Sequence, residues 1–358
     1  MTFLIAAAGT GGHVFPGLSV AEALIALGVE RSEILFVGGS RLEAQVYPNE
    51  GFRFLQVEMR GLQRSLTPKN LTLPRVVVKA RKRIQQAIEE SQTRAVLGMG
   101  GYVTIPAGMA ARRAGIPFFN SEQNAEVGLA NRIAARWAVR SFGSFPETAG
   151  LASADWVGNP VRKPFWSFDR ETLRPESLRH FGLDGALPVL GVFGGSLGAG
   201  VINEAVTALA QKGLGRPFQI VHLTGEEHFS SLEDVSSAES VIWRRLGFEE
   251  NMTMFYASAD LVVARAGGAV AELTATASPS VLVPGDFGSS GHQTGNAGFL
   301  AQAGAAITLD QQDLGRLSQV VKQYLFDPNQ LAEMRSAAEQ IAKPDAARTI
   351  ARVILEMS

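Results

Sequence analysis

The first residues of the chain that could do chemistry form a glycine-rich turn containing a histidine. Gly9-Thr10-Gly11-Gly12-His13 follows a short apolar run and precedes a helical pattern. Glycines at such a turn bring the backbone close to a phosphate, or they simply permit a tight bend. Histidine has an ordinary pKa of about 6.5, which suits proton abstraction. His13 is therefore a candidate general base, and a helix-capping residue is the alternative interpretation.

A second glycine-rich turn, at 194–200, also lies between an apolar run and a helical pattern. A strand-to-helix turn presents unpaired backbone N–H groups at the positive end of a helix dipole, an arrangement that suits phosphate. Ser196 adds a hydroxyl donor, so this turn is the stronger phosphate candidate. The alternative is that its glycines only let the helix pack on the sheet.

Three further polar clusters stand where predicted strands end, at 98–103, 121–124 and 265–272, and a fourth follows at 292–296. Glu272 falls about one turn into a predicted helix. A carboxylate there could accept both hydroxyls of a ribose, or it could be an exposed first-turn acid favoured by the helix dipole. The amide and imidazole groups of 292–296 are typical partners of sugar hydroxyls. The clusters predict ligand-facing loops at the strand ends of both halves.

Short apolar runs alternate with helical patterns in both halves, which predicts two parallel, doubly wound sheets. A linker rich in proline and glycine separates the halves at 157–164. Ligands of such sheets bind at the carboxyl ends of the strands. The predicted strands are 2–7, 34–37, 54–57, 95–99, 118–121, 141–143, 188–193, 220–224, 241–244, 261–264, 280–284 and 305–308. The predicted helices follow Pro16, span 72–91, 105–114 and 128–138, begin at Val201, Ala269 and Asn296, and fill most of 311–357.

Several protein classes fit the sequence poorly. A dinucleotide oxidoreductase needs an acid after its second strand, and here the run 34–37 ends in Gly38-Gly39-Ser40. The five histidines show no paired ligand spacing, and the chain has no cysteine, so no metal site and no cofactor are expected. A GxSxG nucleophile elbow and a Walker loop are also absent from the sequence.

Length and composition place further bounds on the protein. The 358 residues suit two domains, and 46% apolar residues allow a well-buried core. The formal net charge of −1 gives no global field that would attract nucleic acid. The start MTFLIAAAG lacks a basic region and is typical of a buried strand rather than a signal peptide. No apolar run approaches the roughly 20 residues needed to span a bilayer, so we expect a soluble protein or one bound at a membrane surface.

The segment from Lys69 to Arg83 interleaves six basic residues with leucines and valines. Apolar side chains with a basic rim suit an anionic bilayer surface, at about 1 kcal/mol per basic residue. The alternative is an ordinary core helix with a solvated basic face, and the pattern alone slightly favours it.

In order and spacing, these motifs resemble the MurG family of glycosyltransferases over nearly the whole chain. The stretches that carry the resemblance are GTGGHVFPG (9–17), GMGGYV (98–103), EQN (122–124), GNPVR (158–162), GGSLGA (194–199), RAGGAVAE (265–272) and HQTGNA (292–297). The resemblance implies an α/β GT-B fold, with two Rossmann-like domains whose parallel sheets face a central cleft. It implies an N-terminal acceptor domain over 1–158, a UDP-GlcNAc-binding domain over 159–340, and a helix at 341–358 that packs back on the first domain.

The family transfers GlcNAc from UDP-GlcNAc to the C4 hydroxyl of MurNAc in undecaprenyl-pyrophosphoryl-MurNAc-pentapeptide (lipid I), with inversion and without an active-site metal. By this resemblance, His13 is the proposed general base, Glu272 holds the ribose and Ser196 holds a phosphate. The segment 69–83 would meet the cytoplasmic face of the plasma membrane, which reverses the preference drawn from its pattern. The other substrate-binding positions implied are Thr10, Gly11, Gly12, Tyr102, Asn124, Arg162, Gly268, Ala269, Gln293 and Asn296.

Some positions depart from the family pattern. Ser121 replaces a common histidine, Leu197 replaces a common glutamine, and Glu249 stands where an apolar residue is usual. The segment 265–272 is one residue shorter than the usual form. Two other functions fit the same residues: another UDP-sugar enzyme, such as a glycolipid transferase or a UDP-GlcNAc 2-epimerase, and a non-catalytic nucleotide-sugar-binding protein.

Overall fold

The structure is a computed structural model, and it describes residues 1–59, 73–151, 153–285 and 291–358. The chain forms two compact units. Unit 1 comprises Met1–Lys163 together with Lys343–Ser358, and unit 2 comprises Pro164–Ala342.

Each unit contains one parallel sheet, which confirms the predicted α/β class. Unit 1 has the strand order β3-β2-β1-β4-β5-β6-β7, and unit 2 has the order β10-β9-β8-β11-β12-β13. The strands are β1 Thr2–Ala6, β2 Ile34–Gly38, β3 Arg53–Gln56, β4 Thr93–Gly98, β5 Phe118–Glu122, β6 Arg140–Gly143, β7 Asp155–Trp156, β8 Val189–Phe193, β9 Phe218–Leu223, β10 Val241–Leu246, β11 Leu261–Ala264, β12 Ser280–Leu282 and β13 Ala306–Thr308.

Helices connect the strands and cover the sheets. They are α1 Gly11–Ala26, α2 Glu43–Asn49, α3 Leu73–Glu90, α4 Thr104–Ala114, α5 Leu129–Ala134, α6 Arg170–Phe181, α7 Gly200–Lys212, α8 Glu226–Leu232, α9 Met252–Ser258, α10 Ala269–Ala275, α11 His292–Gln302, α12 Leu317–Leu325, α13 Pro328–Ile341 and α14 Ala346–Glu356. In the described residues, no helix is long and apolar enough to cross a membrane.

The central strands of both sheets are buried on both faces. Every residue of β1 and of β8 is buried, because helices cover each side of a parallel sheet and the central strands become continuous apolar runs. The strand order reverses between β1 and β4 in unit 1, and between β8 and β11 in unit 2. Ligands of open α/β sheets bind at such a point, outside the carboxyl ends of the strands.

The last helix of the chain belongs to unit 1. Helix α14 packs against α1. Arg94 on β4 donates a hydrogen bond to the carbonyl oxygen of Ser358 at 2.7 Å, and the Lys343 ammonium lies 4.2 Å from the centre of the Trp156 ring.

Several predicted element bounds were wrong. Helix α1 begins at Gly11 rather than after Pro16, so Pro16 lies inside the helix, where it cannot donate the usual hydrogen bond to the Gly12 carbonyl. Helix α11 begins at His292, four residues before Asn296. The predicted helix 128–138 is α5 followed by a 3-10 turn at Ala135–Trp137. The sequence analysis missed α2, α6, α8, α9 and β7.

Candidate active site

His13 lies in the first turn of α1, not in the loop that precedes the helix. Its Nδ1 lies 3.3 Å from the hydroxyl oxygen of Thr10, the N-cap residue. Gly100, which follows β4 with a φ of +100°, packs against the imidazole so closely that any side chain there would collide with it. The glycine cluster after β4 therefore makes room for His13, and the His13 ring is fixed between two strand ends.

A buried carboxylate that the sequence analysis missed supports the same loop. Glu43 is fully buried and accepts hydrogen bonds from the N–H groups of Gly9 at 3.2 Å and Gly39 at 2.9 Å. It also accepts one from the Tyr102 hydroxyl at 3.3 Å. Burial and the nearby Glu43 charge raise the pKa of Tyr102 to about 12, so the phenol keeps its proton at neutral pH. Glu43 thus ties together the chain after β1, β2 and β4.

A second buried carboxylate organises the chain after β5. Glu122 accepts two backbone N–H groups through Oε1, from Gln123 and Asn124, each at 3.0 Å. The Asn124 side-chain amide donates to the same oxygen at 3.0 Å. Its Oε2 accepts from the Gly128 N–H at 3.0 Å and from the Asn131 amide at 2.9 Å. Asn124, a predicted binding residue, is therefore held by Glu122.

In unit 2, the glycine turn after β8 rests on the chain after β9. Gly198, with a φ of +77°, lies so close to the Thr224 carbonyl that a Cβ atom would collide with it. Asn203 of α7 donates its side-chain amide to that carbonyl at 2.9 Å. Ser196 and Leu197 lie exposed at the tip of the turn.

A buried histidine, His222, contacts Asn203 and so belongs to the side chains that support the glycine turn after β8. His222 Nε2 lies 3.0 Å from the Asn203 Oδ1, and its ring stacks on Trp243 at 6.0 Å. Burial and the nearby Arg245 charge lower the pKa of His222 to about 3, so the ring is neutral at physiological pH. The Asn203 amide NH₂ group donates to the Thr224 carbonyl, so the oxygen that faces His222 is the amide oxygen of Asn203, which can only accept a hydrogen bond. His222 Nε2 therefore carries the ring proton and donates it to this oxygen.

Glu272 projects from the first turns of α10, after β11. Its Oε2 accepts a hydrogen bond from the Tyr256 hydroxyl at 3.0 Å. The preceding loop is held by the side-chain amide of Asn296, which donates to the Ala266 carbonyl at 3.0 Å. Arg265 is buried and donates to the carbonyls of Val283 and Pro284 and to the Gln311 side chain, at 2.9–3.2 Å.

The remaining predicted residues lie as follows. Gln293 accepts the Gly285 N–H at 2.8 Å. Gly268 is the N-cap of α10 and is exposed, and Ala269 is half-buried. Arg162 is half-buried and lies one residue before Lys163, where the first of the two segments of unit 1 ends.

Of the thirteen predicted residues, all but Arg162 fall into two groups, each at the carboxyl ends of one sheet. Unit 1 places six of them there: Thr10, Gly11, Gly12, His13, Tyr102 and Asn124. Unit 2 places six there: Ser196, Gly268, Ala269, Glu272, Gln293 and Asn296. Of these, Asn296 is 1% exposed and bonded to the loop backbone. The described residues contain no group of histidines and acids that could hold a metal ion.

Two parallel α/β units with glycine-rich turns at their strand ends are the architecture of the two-domain glycosyltransferases. Residues 3–142 match the glycosyltransferase family 28 N-terminal domain, and residues 189–350 match the glycosyltransferase family 28 C-terminal domain. The chain belongs to glycosyltransferase family 28.

Full-length relatives narrow the family further. The chain is 38% identical over 361 residues to the UDP-N-acetylglucosamine–N-acetylmuramyl-(pentapeptide) pyrophosphoryl-undecaprenol N-acetylglucosamine transferase of Dechloromonas aromatica, covering 100% of this chain and 99% of the relative. It is 40% identical to the enzyme of that name from Acidithiobacillus ferrooxidans, covering 99% and 97%. The crystal structure of Acinetobacter baumannii MurG matches with a TM-score of 0.79 and 28% identity, covering 99% of both chains.

One more distant neighbour shares the fold alone. The UDP-GlcNAc 2-epimerase of Neisseria meningitidis matches with a TM-score of 0.66 at 14% identity, covering 99% of this chain and 100% of that one.

Proposed function

We propose that this protein transfers N-acetylglucosamine from UDP-GlcNAc to the C4 hydroxyl of MurNAc in lipid I, with inversion and without an active-site metal. The observation that carries the proposal is the identity of 38–40%, along the whole chain, to transferases named for this donor and acceptor. The placement of both groups of candidate residues at strand ends supports it, because that is where open α/β sheets bind ligands.

The donor is assigned to a domain over residues 159–340, which includes all of unit 2 except its last two residues. Glu272 accepts the ribose hydroxyls, and Gln293 and Asn296 belong to the same edge. Ser196 and the backbone around 194–199, with Gly268 and Ala269, face the diphosphate. As the diphosphate departs it gains charge, and fixed donors such as Ser196 and Arg162 would stabilise that charge.

The acceptor is assigned to a domain over residues 1–158, together with the helix at 341–358, which includes most of unit 1. His13 takes the proton of the attacking hydroxyl as that hydroxyl adds to the anomeric carbon on the face opposite UDP. His13 Nδ1 lies 3.3 Å from the Thr10 hydroxyl, and if Nδ1 donates its proton to Thr10, Nε2 is the basic nitrogen of the ring. Gly11, Gly12, Tyr102 and Asn124 line the same edge.

The experiment is transfer of labelled GlcNAc to a lipid I analogue, run with and without EDTA. We expect EDTA to leave the rate unchanged and His13→Ala to lower kcat by about 100-fold or more, the range of general-base contributions. His228→Ala is a matched control, because His228 lies on α8, outside the assigned residues. Near-normal turnover by His13→Ala would overturn the base assignment, and acceptor-independent conversion of UDP-GlcNAc to its 2-epimer would indicate an epimerase.

We also propose peripheral binding to the cytoplasmic face of the plasma membrane through 69–83. Lys69 lies outside the described residues. In the described part, Arg75, Lys79, Lys82 and Arg83 are exposed on α3, and Val78 is 42% exposed beside them. Replacing Lys82 and Arg83 with glutamine should weaken binding to anionic vesicles by about 30-fold, since each basic residue contributes about 1 kcal/mol. Exposed Arg112 and Arg113 on α4 provide a matched pair of control substitutions.

A further inference from the structure

Tyr256 occupies an unusual position for a residue that touches the candidate ribose ligand Glu272. Its side chain is fully buried, yet its hydroxyl reaches Glu272 Oε2 at 3.0 Å. Three phenylalanines, Phe165, Phe193 and Phe255, surround the ring edge-on, with centroids 5.4–6.0 Å away. Phe193 is the last residue of β8, directly before the glycine turn. The ring is therefore fixed, and so is the place of its hydroxyl.

Arg170 fixes the helix that carries Tyr256 relative to the helix that carries Glu272. Its guanidinium donates to the carbonyls of Tyr256 and Ala259 at 2.5 and 2.7 Å, at the end of α9. It also donates to the Thr276 carbonyl at 3.1 Å, at the end of α10, and to the Ser278 hydroxyl at 2.8 Å. One buried cation thus binds the C-terminal ends of both helices, where the helix dipoles favour positive charge.

A glutamate needs such support if it is to hold a diol. The last torsion of a glutamate side chain is broad, so a free carboxylate samples many orientations. A carboxylate has about four lone-pair positions, and a ribose diol needs two of them on the same side. The Tyr256 hydroxyl donates to one lone pair of Glu272 Oε2, and this hydrogen bond restricts the last torsion of the side chain and so sets the plane of the carboxylate.

We propose that Tyr256 is a positioning residue that orients Glu272 toward the 2′ and 3′ hydroxyls and so makes unit 2 select ribonucleoside over 2′-deoxyribonucleoside diphosphates. This proposal rests on the proposed function, since it takes Glu272 as the ribose ligand. The Phe165, Phe193 and Phe255 cluster keeps the tyrosine in place when its hydroxyl is removed.

The test is the dissociation constant for UDP and for 2′-deoxy-UDP, measured by calorimetry on the full chain. Wild type should bind UDP about tenfold more tightly than 2′-deoxy-UDP, the effect of one hydrogen bond to a charged group. Tyr256→Phe should weaken UDP binding three- to tenfold and 2′-deoxy-UDP binding less than twofold. The ratio, rather than either constant, is the decisive measurement, because a merely structural role would weaken both ligands equally.

Two further variants complete the experiment. Glu272→Gln should bring the ratio of the dissociation constants for 2′-deoxy-UDP and UDP close to one. Adding Tyr256→Phe to Glu272→Gln should change this ratio no further, because both substitutions act through the hydrogen bond between Tyr256 and Glu272. Tyr324→Phe, which removes a hydroxyl from α12 in the same unit, should leave the ratio unchanged.

A Tyr256→Phe ratio equal to that of wild type would overturn the proposal. Failure of wild type to bind UDP at all would instead overturn the assigned donor site and the proposed function.

Discussion

The two units differ in the buried side chains that support their strand-end loops. In unit 1 the buried carboxylates Glu43 and Glu122 accept hydrogen bonds from backbone N–H groups of the loops. In unit 2 the buried donors Arg265, Asn203 and Asn296 give hydrogen bonds to backbone carbonyls at the loops or beside them. Two sheets of similar topology therefore present different electrostatics to a ligand.

The difference suits the two proposed substrates. A carboxylate beneath the loops of unit 1 repels a phosphate charge by about 2 kcal/mol at a distance of about 8 Å and an effective dielectric constant near 20. In unit 2, the buried donors contact the carbonyls of the loops and so do not occupy the loop N–H groups. The buried guanidinium of Arg265 also favours an anion nearby. Unit 1 would thus disfavour a phosphate beside the loops after β1 and β5, so the proposed acceptor, which carries its own diphosphate, would place its neutral MurNAc hydroxyls there. Unit 2 would favour the diphosphate of the proposed donor.

The largest expected effect is the loss of the Glu122 charge. Glu122→Gln leaves one amide NH₂ facing the N–H donors that Glu122 now binds, so several buried hydrogen bonds to a charged group are lost. We expect unit 1 to lose about 4 kcal/mol of stability or more, measured by hydrogen exchange resolved along the chain. The control is Glu126→Gln, the same change on an exposed neighbour. If exchange in unit 1 is unchanged, Glu122 does not hold its loops.

The matching experiment in unit 2 removes a cation. Arg265→Met leaves the Val283 and Pro284 carbonyls and the Gln311 side chain without their donor, at about 1–3 kcal/mol each when buried. We expect a loss of about 3 kcal/mol confined to unit 2, and UDP binding about tenfold weaker. Arg316→Met, at an exposed position, should change neither quantity. Equal destabilisation of both units by Arg265→Met would contradict the inference that this buried donor supports the loops of unit 2 alone.

The sequence predicts the sheets well and the short helices poorly. Buried parallel strands are continuous apolar runs, and β11 at Leu261–Ala264 was predicted with its observed bounds. Helix α6 was missed because its sequence, RETLRPESLRHF, has no clear apolar face. Its caps were readable signals: Asp169 accepts two first-turn N–H groups, and Gly182 ends the helix with a φ of +62°.

The candidate site likewise contains residues that the sequence predicts and residues that it does not. Residues at strand ends could be found because the glycine turns mark those ends in the sequence. The supporting side chains could not, because their partners are far apart along the chain: Glu43 and Tyr102 are 59 residues apart, and Arg170 and Ser278 are 108 apart. Such contacts are set by tertiary packing, which no local spacing reports.

A smaller effect is expected from Glu43, which supports the loop before His13. In Glu43→Gln one of the two N–H groups, of Gly9 or Gly39, faces an NH₂ group, so we expect the loop to shift. The shift should lower kcat about tenfold with little change in KM for UDP-GlcNAc, because the donor is bound by unit 2. Exposed Glu50→Gln is the control. A change in donor KM as large as the change in kcat would contradict the separation of roles.

The smallest expected effect concerns His222, the uncharged histidine that supports the glycine turn of unit 2. The pKa of His222 is about 3 in the folded state, against about 6.5 unfolded, so below pH 6.5 the unfolded state binds the extra proton. Stability contributed by the neutral ring is therefore complete above pH 6.5 and falls as pH falls toward 3.

Compared with His222→Gln, the wild-type protein should lose about 1.4 kcal/mol more between pH 7.5 and 5.5, measured by urea unfolding. Because Asn203 joins His222 to the Thr224 carbonyl beneath the glycine turn, exchange at 194–200 should rise first in acid. If the two proteins give parallel stability curves down to pH 4, the ring is not held neutral, and unit 2 would not depend on uncharged donors at this position.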